Sequence, residues 1–274
     1  MNGRVELRRL LVIGGSDSSG GAGIQGDTKT GAAMGVDVST AITAITAQNS
    51  LGVKAVEPVP IEMLRAQISS VCSDIPPHAT KLGMLYDAAR VCAVADAIKT
   101  YTLRNVVCDP VLVSTSGSVL LDRDGSEALL SILPLFELLT PNAIEAAALT
   151  GKPVTNQQEL LAAGRALLDR GCNAVLLKGG HLGGNESTDV LLQSETEEPL
   201  FFPSPRIETR NDHGTGCALA TSIASALALR LTLPDAVATG CEFVRAALKR
   251  SAQLWNGSGR GSMNLLRTSY LPPT

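Results

Sequence analysis

Short runs of apolar residues alternate along the chain with longer segments in which apolar residues recur every three or four positions. Short runs bounded by Gly, Pro, Asn or Asp are typical of buried strands, and the longer period is typical of amphipathic helices. The predicted strands are Leu10–Gly14, Asp37–Thr46, Lys54–Pro58, Thr80–Met84, Asn105–Asp109, Leu138–Thr140 and Ala174–Lys178. The predicted helices are Ile61–Cys72, Ala88–Lys99, Asn156–Arg170, Thr215–Leu229 and Pro234–Arg250. This alternation predicts an α/β protein with a central, mostly parallel sheet flanked by helices on both faces.

The domain organisation follows from the same pattern. Neither an internal repeat nor a linker divides the sequence, so residues 1–274 are expected to form a single domain. The polar, Pro-punctuated stretch Gly183–Pro205 is expected to form loops around short strands. The Gly- and Ser-rich residues 257–274 are expected to form a loosely ordered tail.

Composition excludes several classes of protein. A chain of 274 residues with 45% hydrophobic and 18% charged residues is typical of a globular domain, and a net charge of −3 leaves no broad basic surface for nucleic acid. Neither a membrane-spanning run nor a signal peptide is expected. The six cysteines show no CxxC pair or zinc-ligand spacing, so we expect free thiols in a reducing, cytoplasmic compartment. All except Cys217 are expected to be small core residues.

The first Gly-rich segment, Gly14–Gly26, follows the first predicted strand and contains a literal GxGxxG at Gly21, Gly23 and Gly26. In a dinucleotide-binding fold these glycines open at the strand's end, but here the residues from Ser16 to Gly20 intervene. A Gly-rich turn into a helix starting near Gly23 is favoured over that interpretation. A substrate-binding loop is favoured further, because Asp17 and its neighbours lie at the carboxyl end of a strand.

A second Gly-rich segment, NDHGTGCAL at 211–219, leads into a predicted helix. Glycines allow consecutive backbone N–H groups to converge, and the helix N-terminus adds positive potential, so Gly214, Thr215 and Gly216 are predicted to form an anion hole. The same field is expected to favour the thiolate of Cys217 and to lower its pKa toward neutrality. The alternative is a Gly-rich turn with a buried cysteine.

Further polar candidates end predicted strands. Lys178 precedes two glycines and is placed to meet phosphate oxygens, although a solvated lysine is an equal alternative. Asp109 closes another strand, and Asn142 and Glu145 share one face of a helical first turn. Such oxygens could hold Mg²⁺ through waters, and the alternative for Asn142 is a helix cap. The sequence contains no Walker A motif, GxSxG elbow or protein-kinase signature, so a phosphate cradle of another kind is required.

Together these segments resemble the hydroxymethylpyrimidine/phosphomethylpyrimidine kinases of thiamine biosynthesis, which belong to the ribokinase-like superfamily. The similarity runs in family order from about residue 10 to residue 250. The matching segments are GGSDSSGGAGIQGDTKT (14–30), TAITAQNSLGV (43–53), KLGML (81–85), DPV (109–111), LLTPNAIEAAALTG (138–151), KGGH (178–181) and HGTGC (213–217).

The resemblance implies a ribokinase-like fold, ATP as phosphoryl donor, Mg²⁺ as cofactor, and 4-amino-5-hydroxymethyl-2-methylpyrimidine and then its monophosphate as acceptors. Cys217 matches the catalytic base of the family, and Gln48 matches the residue that hydrogen-bonds the pyrimidine. The other residues implied to line the acceptor pocket are Gly15, Ala22, Asp27, Met84 and His213. Lys178, Asn142, Gly214 and Gly216 are implied to bind ATP phosphates, and Glu145, Asp109 and Asn142 to organise Mg²⁺.

The sequence departs from the family in the segment VLVSTSG, where Thr115 stands in place of a common Lys. Ser114 stands where some kinases acting on pyridoxal carry Cys, and Gly26 replaces a commoner Ala. A pyridoxal kinase of the same fold and a non-catalytic pyrimidine-binding regulatory protein therefore remain alternatives. A homodimer is expected, with no nucleic-acid or membrane partner.

Overall fold

The computed structural model describes residues 6–114, 117–181, 186–255 and 257–266. Its strands are β1 (Arg9–Asp17), β2 (Asp37–Asn49), β3 (Gly52–Pro58), β4 (Ala79–Leu82), β5 (Val106–Cys108), β6 (Leu138–Leu139), β7 (Ala174–Leu177), β8 (Glu186–Gln193) and β9 (Thr196–Pro205). Its α-helices are α1 (Gly23–Met34), α2 (Ile61–Asp74), α3 (Ala88–Thr100), α4 (Arg123–Ser131), α5 (Ala143–Thr150), α6 (Gln157–Asp169), α7 (Thr215–Ala228) and α8 (Leu233–Ser251).

The strands form one sheet in the order β3-β2-β1-β4-β5-β6-β7-β8-β9 within the described residues. The six strands from β2 to β7 along this order pair in parallel, while β3, β8 and β9 pair antiparallel at the two ends. Because parallel strands need crossover connections, helices cover both faces of the sheet.

Two apolar cores hold these layers together. In β1, Leu11 and Ile13 face the core that includes α2, α3, α4 and α6, while Leu10 and Val12 face the core that includes α1, α7 and α8. All four side chains have no exposed surface, which explains why β1 reads as an unbroken apolar run. The predicted α/β fold with a mostly parallel sheet and helices on both faces is confirmed.

The stretch Gly183–Pro205 differs from the expectation of loops around short strands. From residue 186 it forms a β-hairpin in which the long strands β8 and β9 pair from Glu186 with Pro205 to Gln193 with Thr196. The prolines of β9 are compatible with this pairing because β9 is an edge strand, where a missing N–H does not interrupt the sheet.

The tail expected from residue 257 is also packed where the structure describes it. Met263 and Leu265 are buried in the core that includes α7 and α8. The backbone N–H of Arg260 donates to the carbonyl of Ser50, and that of His213 donates to the carbonyl of Gly261. The expectation of loose order is therefore wrong for residues 257–266, and residues 267–274 lie outside the described part.

The expectation for the cysteines is only partly correct. Cys108 and Cys172 are buried, whereas Cys72 and Cys241 are partly buried and Cys92 is exposed. All six are free of disulfide bonds.

In the described ranges, no helix combines the length and the apolar character that crossing a membrane requires.

Gly164 provides a test of packing between α6 and the sheet. A Cβ at this position would lie 2.6 Å from the Cδ1 atoms of both Leu177 and Leu192. We expect Gly164→Ala to lower the free energy of unfolding by about 1–3 kcal/mol through overpacking, although alanine is the better helix former. Urea unfolding measures the change. The exposed neighbour Arg165 offers a control, because Arg165→Ala should change stability by less than about 0.5 kcal/mol. An equal or higher stability of Gly164→Ala would contradict the close contact.

Candidate active site

The carboxyl ends of the parallel strands meet at one edge of the sheet, beside a cavity of about 1140 Å³. The predicted site residues come together there. Those that line the cavity are Gly15, Ala22, Asp27, Gln48, Met84, Asp109, Asn142, Glu145, Lys178, His213, Gly214, Thr215, Gly216 and Cys217. The loop at the start of α7 therefore lines the same cavity as the residues predicted to bind the acceptor and those predicted to bind phosphates. Thr115 of the segment VLVSTSG lies outside the described residues.

Gly214 sets the shape of the loop that begins α7. It is the N-cap residue with φ of +88°, and a Cβ here would lie 2.1 Å from the Gly21 carbonyl oxygen. Only glycine satisfies both the left-handed backbone and this close approach. No side chain caps the helix, so its N-terminal potential is directed into the cavity. This geometry is that of an anion-binding loop.

The Cys217 thiol lies in the first turn of α7, but its electrostatic surroundings differ from the expectation. Burial raises the pKa of Cys217 to about 11, because the carboxylates of Asp27 and Asp109 add to desolvation and outweigh the opposing effect of Lys81. The expected shift toward neutrality is therefore wrong for this state of the protein. At pH 7 the thiol is protonated.

Asp27 forms a buried ion pair beneath the cavity. Its Oδ2 accepts a hydrogen bond from Lys81 Nζ at 2.7 Å, and its Oδ1 accepts one from Thr221 Oγ1 at 2.6 Å. Both charged side chains are about 1% exposed. Burial by itself lowers the pKa of Lys81, but the carboxylates of Asp27 and Asp109 and the nearby Cys217 together outweigh this effect and raise it. Asp27 thus joins α1, β4 and α7 below the site, with both of its oxygens already engaged.

A second charged cluster lies at the ends of β5, β6 and β7. Lys178 Nζ donates to Asp109 Oδ1 at 2.8 Å and lies 3.5 Å from Glu145 Oε2. A Cβ on Gly216 would lie 3.2 Å from Asp109 Oδ2 and 3.3 Å from Lys178 Nζ. The cluster therefore lies next to the first turn of α7 in space. The ammonium group and the helix N-terminus together favour a polyanion in this part of the cavity.

Asn142 and Glu145 share the predicted first turn of α5, and they close it as a capping box. Asn142 Oδ1 accepts from the Glu145 N–H at 2.9 Å, and Glu145 Oε2 accepts from the Asn142 N–H at 2.8 Å. The alternative prediction that Asn142 caps its helix is therefore confirmed. Burial raises the pKa of Glu145, against the opposing charge of Lys178.

The opposite part of the cavity is built by the ends of β1 and β2 and by the loop before α7. His213 Nε2 lies 2.9 Å from Asp17 Oδ2 and 3.3 Å from the side-chain nitrogen of Gln48. Close by, a Cβ on Gly15 would lie 2.8 Å from Met84 Sδ, so Gly15 allows the methionine to approach the strand. Amide, imidazole and thioether groups here suit a flat heteroaromatic ring.

Asp17 is the charged anchor of this region. Burial raises its pKa, but hydrogen bonds from His213, Ser19 and Ala22 outweigh desolvation and hold the pKa well below its usual range. Its Oδ1 accepts from the Ser19 N–H at 2.8 Å, and its Oδ2 accepts from the Ala22 N–H at 2.9 Å. The carboxylate therefore fixes the turn that leads into α1.

Sequence reasoning missed the partners of several of these groups. Lys81 and Thr221 were not recognised as the binding partners of Asp27, and Asp17 was not paired with His213. A signal did exist for Lys81, because a lysine inside the apolar strand β4 requires a carboxylate partner when it is buried.

Comparison with known proteins identifies relatives across nearly the whole chain. The sequence model of the family described as "Phosphomethylpyrimidine kinase" matches residues 17–264. A hydroxymethylpyrimidine/phosphomethylpyrimidine kinase of Rhizobium meliloti (strain 1021) is 45% identical over 256 residues, which cover 93% of this chain and 95% of that protein.

Solved structures show the same similarity in three dimensions. A phosphomethylpyrimidine kinase from Clostridium difficile 630 superposes with a TM-score of 0.77 at 37% identity, covering 88% of this chain and 99% of that one. A Bacillus subtilis pyridoxal kinase in complex with ADP superposes with a TM-score of 0.82 at 33% identity, covering 88% of this chain and 92% of that one.

The buried ion pair offers a stability test. Lys81→Met leaves the Asp27 carboxylate buried without its counter-ion, so we expect the free energy of unfolding to fall by about 3–5 kcal/mol. The double variant Asp27→Asn/Lys81→Met removes that charge and keeps an oxygen for Thr221, so it should recover a large part of the loss. Chemical denaturation of both variants measures this coupling. A double variant that is less stable than Lys81→Met would contradict it.

Proposed function

Because the chain belongs to the phosphomethylpyrimidine kinase family, and is therefore a kinase, we propose that it transfers phosphoryl groups from ATP to 4-amino-5-hydroxymethyl-2-methylpyrimidine and then to the resulting monophosphate. These two steps belong to thiamine biosynthesis. The observation that carries the proposal is one cavity whose wall contains Gln48, Lys178 and the N-terminus of α7, which no side chain caps.

The acceptor is proposed to lie in the part of the cavity lined by Gly15, Ala22, Gln48 and Met84. The Gln48 amide can donate to a ring nitrogen and accept from the neighbouring amino group of an aminopyrimidine. Met84 and Ala22 offer apolar surface to the ring, and Asp27 acts from below by fixing Lys81 and α7. The hydroxymethyl group is proposed to point toward Cys217.

The transfer step requires an acceptor for the hydroxyl proton and positive groups for the phosphoryl oxygens. We assign Cys217 as the base. The backbone N–H groups of Gly214, Thr215, Gly216 and Cys217 are assigned to the transferred phosphoryl oxygens, as charge moves onto them. Lys178, supported by Asp109, neutralises the phosphates on the donor side of the cavity.

Mg²⁺ fits the oxygen groups at the end of β5 and the start of α5. Asp109 and Glu145 line the cavity with carboxylate oxygens, whereas the Asn142 oxygen is already bonded to its helix. The residues that the structure describes contain no group of three or more acidic, His or Cys side chains able to hold an ion. Such a set suits Mg²⁺ coordinated mainly by phosphates and waters, where the ion would neutralise the donor's charge.

Pyridoxal is the second candidate acceptor, and the similarity to the Bacillus subtilis pyridoxal kinase favours testing it. The assay measures ADP formation with hydroxymethylpyrimidine, its monophosphate and pyridoxal in parallel. We expect turnover with hydroxymethylpyrimidine and with its monophosphate, and a kcat/KM for pyridoxal that is lower than either of these values. A preference for pyridoxal would reassign the acceptor, and tight pyrimidine binding without turnover would indicate a regulatory protein.

We also propose that the chain forms a homodimer. Apolar side chains are exposed at the β3 end of the sheet and beside it, namely Ile45, Leu51 and Met63. Light scattering of the purified protein measures the mass in solution, and a monomeric mass at micromolar concentration would contradict the proposal.

The role of Cys217 can be tested by substitution. Cys217→Ala should lower kcat by about 10²–10⁴-fold while pyrimidine affinity persists, because only proton transfer is removed. Cys217→Asp should retain more activity, since a carboxylate can also accept the proton. A Cys217→Ala variant that keeps half of the wild-type kcat would exclude the base role.

The same residue predicts a pH dependence. With a pKa of about 11, the thiolate fraction of Cys217 increases as the pH rises through the neutral range. The kcat/KM of the wild type, which reports on the free enzyme, should therefore rise by about tenfold per unit between pH 7 and 9. Cys217→Asp should lack this rise, because its carboxylate titrates far lower. Identical profiles for the two proteins would assign the pH dependence to another group.

Glu145→Gln tests the metal role. Glutamine keeps the size of the side chain and can still accept from the Asn142 N–H, but it removes the charge that faces Lys178. We expect a higher Mg²⁺ concentration at half-maximal rate and a lower kcat, with pyrimidine affinity unchanged. An unchanged Mg²⁺ titration and kcat would leave Glu145 with its helix-capping role alone.

A further inference from the structure

The backbone of Gln48 is held in place by hydrogen bonds, but the orientation of its side-chain amide group has to be determined from its neighbours. Its backbone is fixed by Ser18, whose Oγ donates to the Gln48 carbonyl at 2.7 Å and accepts from the Gln48 N–H at 2.8 Å. In the structure the amide nitrogen lies 3.3 Å from His213 Nε2, and the amide oxygen lies 3.4 Å from Thr46 Oγ1. A half-turn about the last side-chain bond exchanges oxygen and nitrogen, so the neighbouring donors and acceptors decide between the two orientations.

His213 is constrained by Asp17. The two groups are 2.9 Å apart, and the hydrogen bonds to Asp17 keep its pKa well below the usual range, so Asp17 is an ionised acceptor. His213 Nε2 must therefore carry a hydrogen, in the neutral tautomer with hydrogen on Nε2 as well as in the doubly protonated ring. A protonated Nε2 has no lone pair to accept from an amide NH₂, and the two groups of N–H hydrogens repel each other, whereas an amide oxygen can share the Nε2–H with Asp17. This contact favours the oxygen of Gln48.

Thr46 constrains the other end of the amide. Thr46 Oγ1 lies 2.8 Å from the carbonyl oxygen of Ser16, which can only accept a hydrogen bond. The single hydroxyl hydrogen is therefore used in that bond, and Thr46 presents lone pairs toward Gln48. This contact favours the nitrogen of the Gln48 amide. The two independent contacts thus select the same inverted orientation.

We propose that His213, itself oriented by Asp17, is a positioning residue that holds the Gln48 amide with its oxygen toward His213 and its nitrogen toward Thr46. The remaining lone pair and N–H then face the cavity in a fixed order. This inference rests on the proposed function, in which Gln48 meets the acceptor ring. A 4-aminopyrimidine offers an amino donor beside a ring-nitrogen acceptor and pairs with that order. A 4-oxopyrimidine offers the reverse pattern and is rejected.

The His213 ring is packed tightly enough to perform this task. A Cβ on Gly21 would lie 2.7 Å from His213 Cδ2, and the His213 N–H donates to the Gly261 carbonyl at 3.1 Å. A phenyl ring places an aromatic side chain at this position without the Nε2–H. It is larger than imidazole and cannot keep the 2.9 Å contact with Asp17, so His213→Phe removes the orienting group while an aromatic ring remains.

The kinetic experiment compares 4-amino-5-hydroxymethyl-2-methylpyrimidine with its 4-oxo analogue as acceptors, with ATP as donor. We divide the kcat/KM for the 4-amino acceptor by the kcat/KM for the 4-oxo analogue. For His213→Phe we expect this ratio to be about tenfold lower than for the wild type, because the Gln48 amide can then rotate to pair with either ring. Gln48→Leu is the matched control and should lose activity with both acceptors. A His213→Phe variant whose two kcat/KM values fall by the same factor would overturn the proposal.

A second measurement does not depend on turnover. In the ligand-free wild type labelled with ¹⁵N, nuclear Overhauser contacts from the Gln48 NH₂ hydrogens should reach the Thr46 methyl group. Contacts to the His213 ring hydrogens in its place would overturn the proposal. If neither acceptor is phosphorylated or bound, the proposed function fails, and the amide orientation is still decided by this measurement.

Discussion

Parallel pairing of the neighbouring strands β2, β1, β4, β5, β6 and β7 is the constraint on which the rest of the structure depends. It forces every one of these strands to end at the same edge of the sheet, so residues far apart in sequence become neighbours. Asp17, Gln48, Asp109 and Lys178 all lie at or just beyond such ends. The loop before α7 completes this edge of the cavity. The N-terminus of α7 adds a positive electrostatic potential there.

Several charged side chains at this edge are paired with one another. Lys81 is paired with Asp27, and Lys178 is shared between Asp109 and Glu145. Such pairs are expensive to bury and add little net stability, but removing one member leaves an uncompensated charge. Their role is positional, because the Lys81–Asp27 pair joins β4 to α1, and Lys178 joins the end of β7 to Asp109 after β5 and to Glu145 in α5. These pairs therefore fix the relative positions of the strand ends that line the cavity.

The sequence predicts the fold well where one physical signal dominates. The fully buried β1 and the amphipathic α6 were both found from their patterns, and the Gly-rich start of α7 followed from the chemistry of helix ends. The signals failed where two effects compete. Cys217 feels a favourable helix field, yet burial and two nearby carboxylates raise its pKa, and burial is invisible in the sequence. The hairpin of β8 and β9 was missed because its prolines and glutamates are tolerated only at an edge.

The segment after residue 256 shows why composition misled. A Gly- and Ser-rich composition predicts loose order, but a Cβ on Gly259 would lie 2.0 Å from the Ser50 carbonyl oxygen. Glycine here permits backbone to approach backbone, which is an ordering role. The Gly259 N–H donates to Ser50 Oγ across 209 residues of sequence, in the turn that follows β2, the strand that contains Gln48. Because residues 257–266 are synthesised after all nine strands, their contacts with Ser50 can form only after the strands of the sheet have left the ribosome. The turn that follows β2 is therefore braced by one of the last parts of the chain to fold.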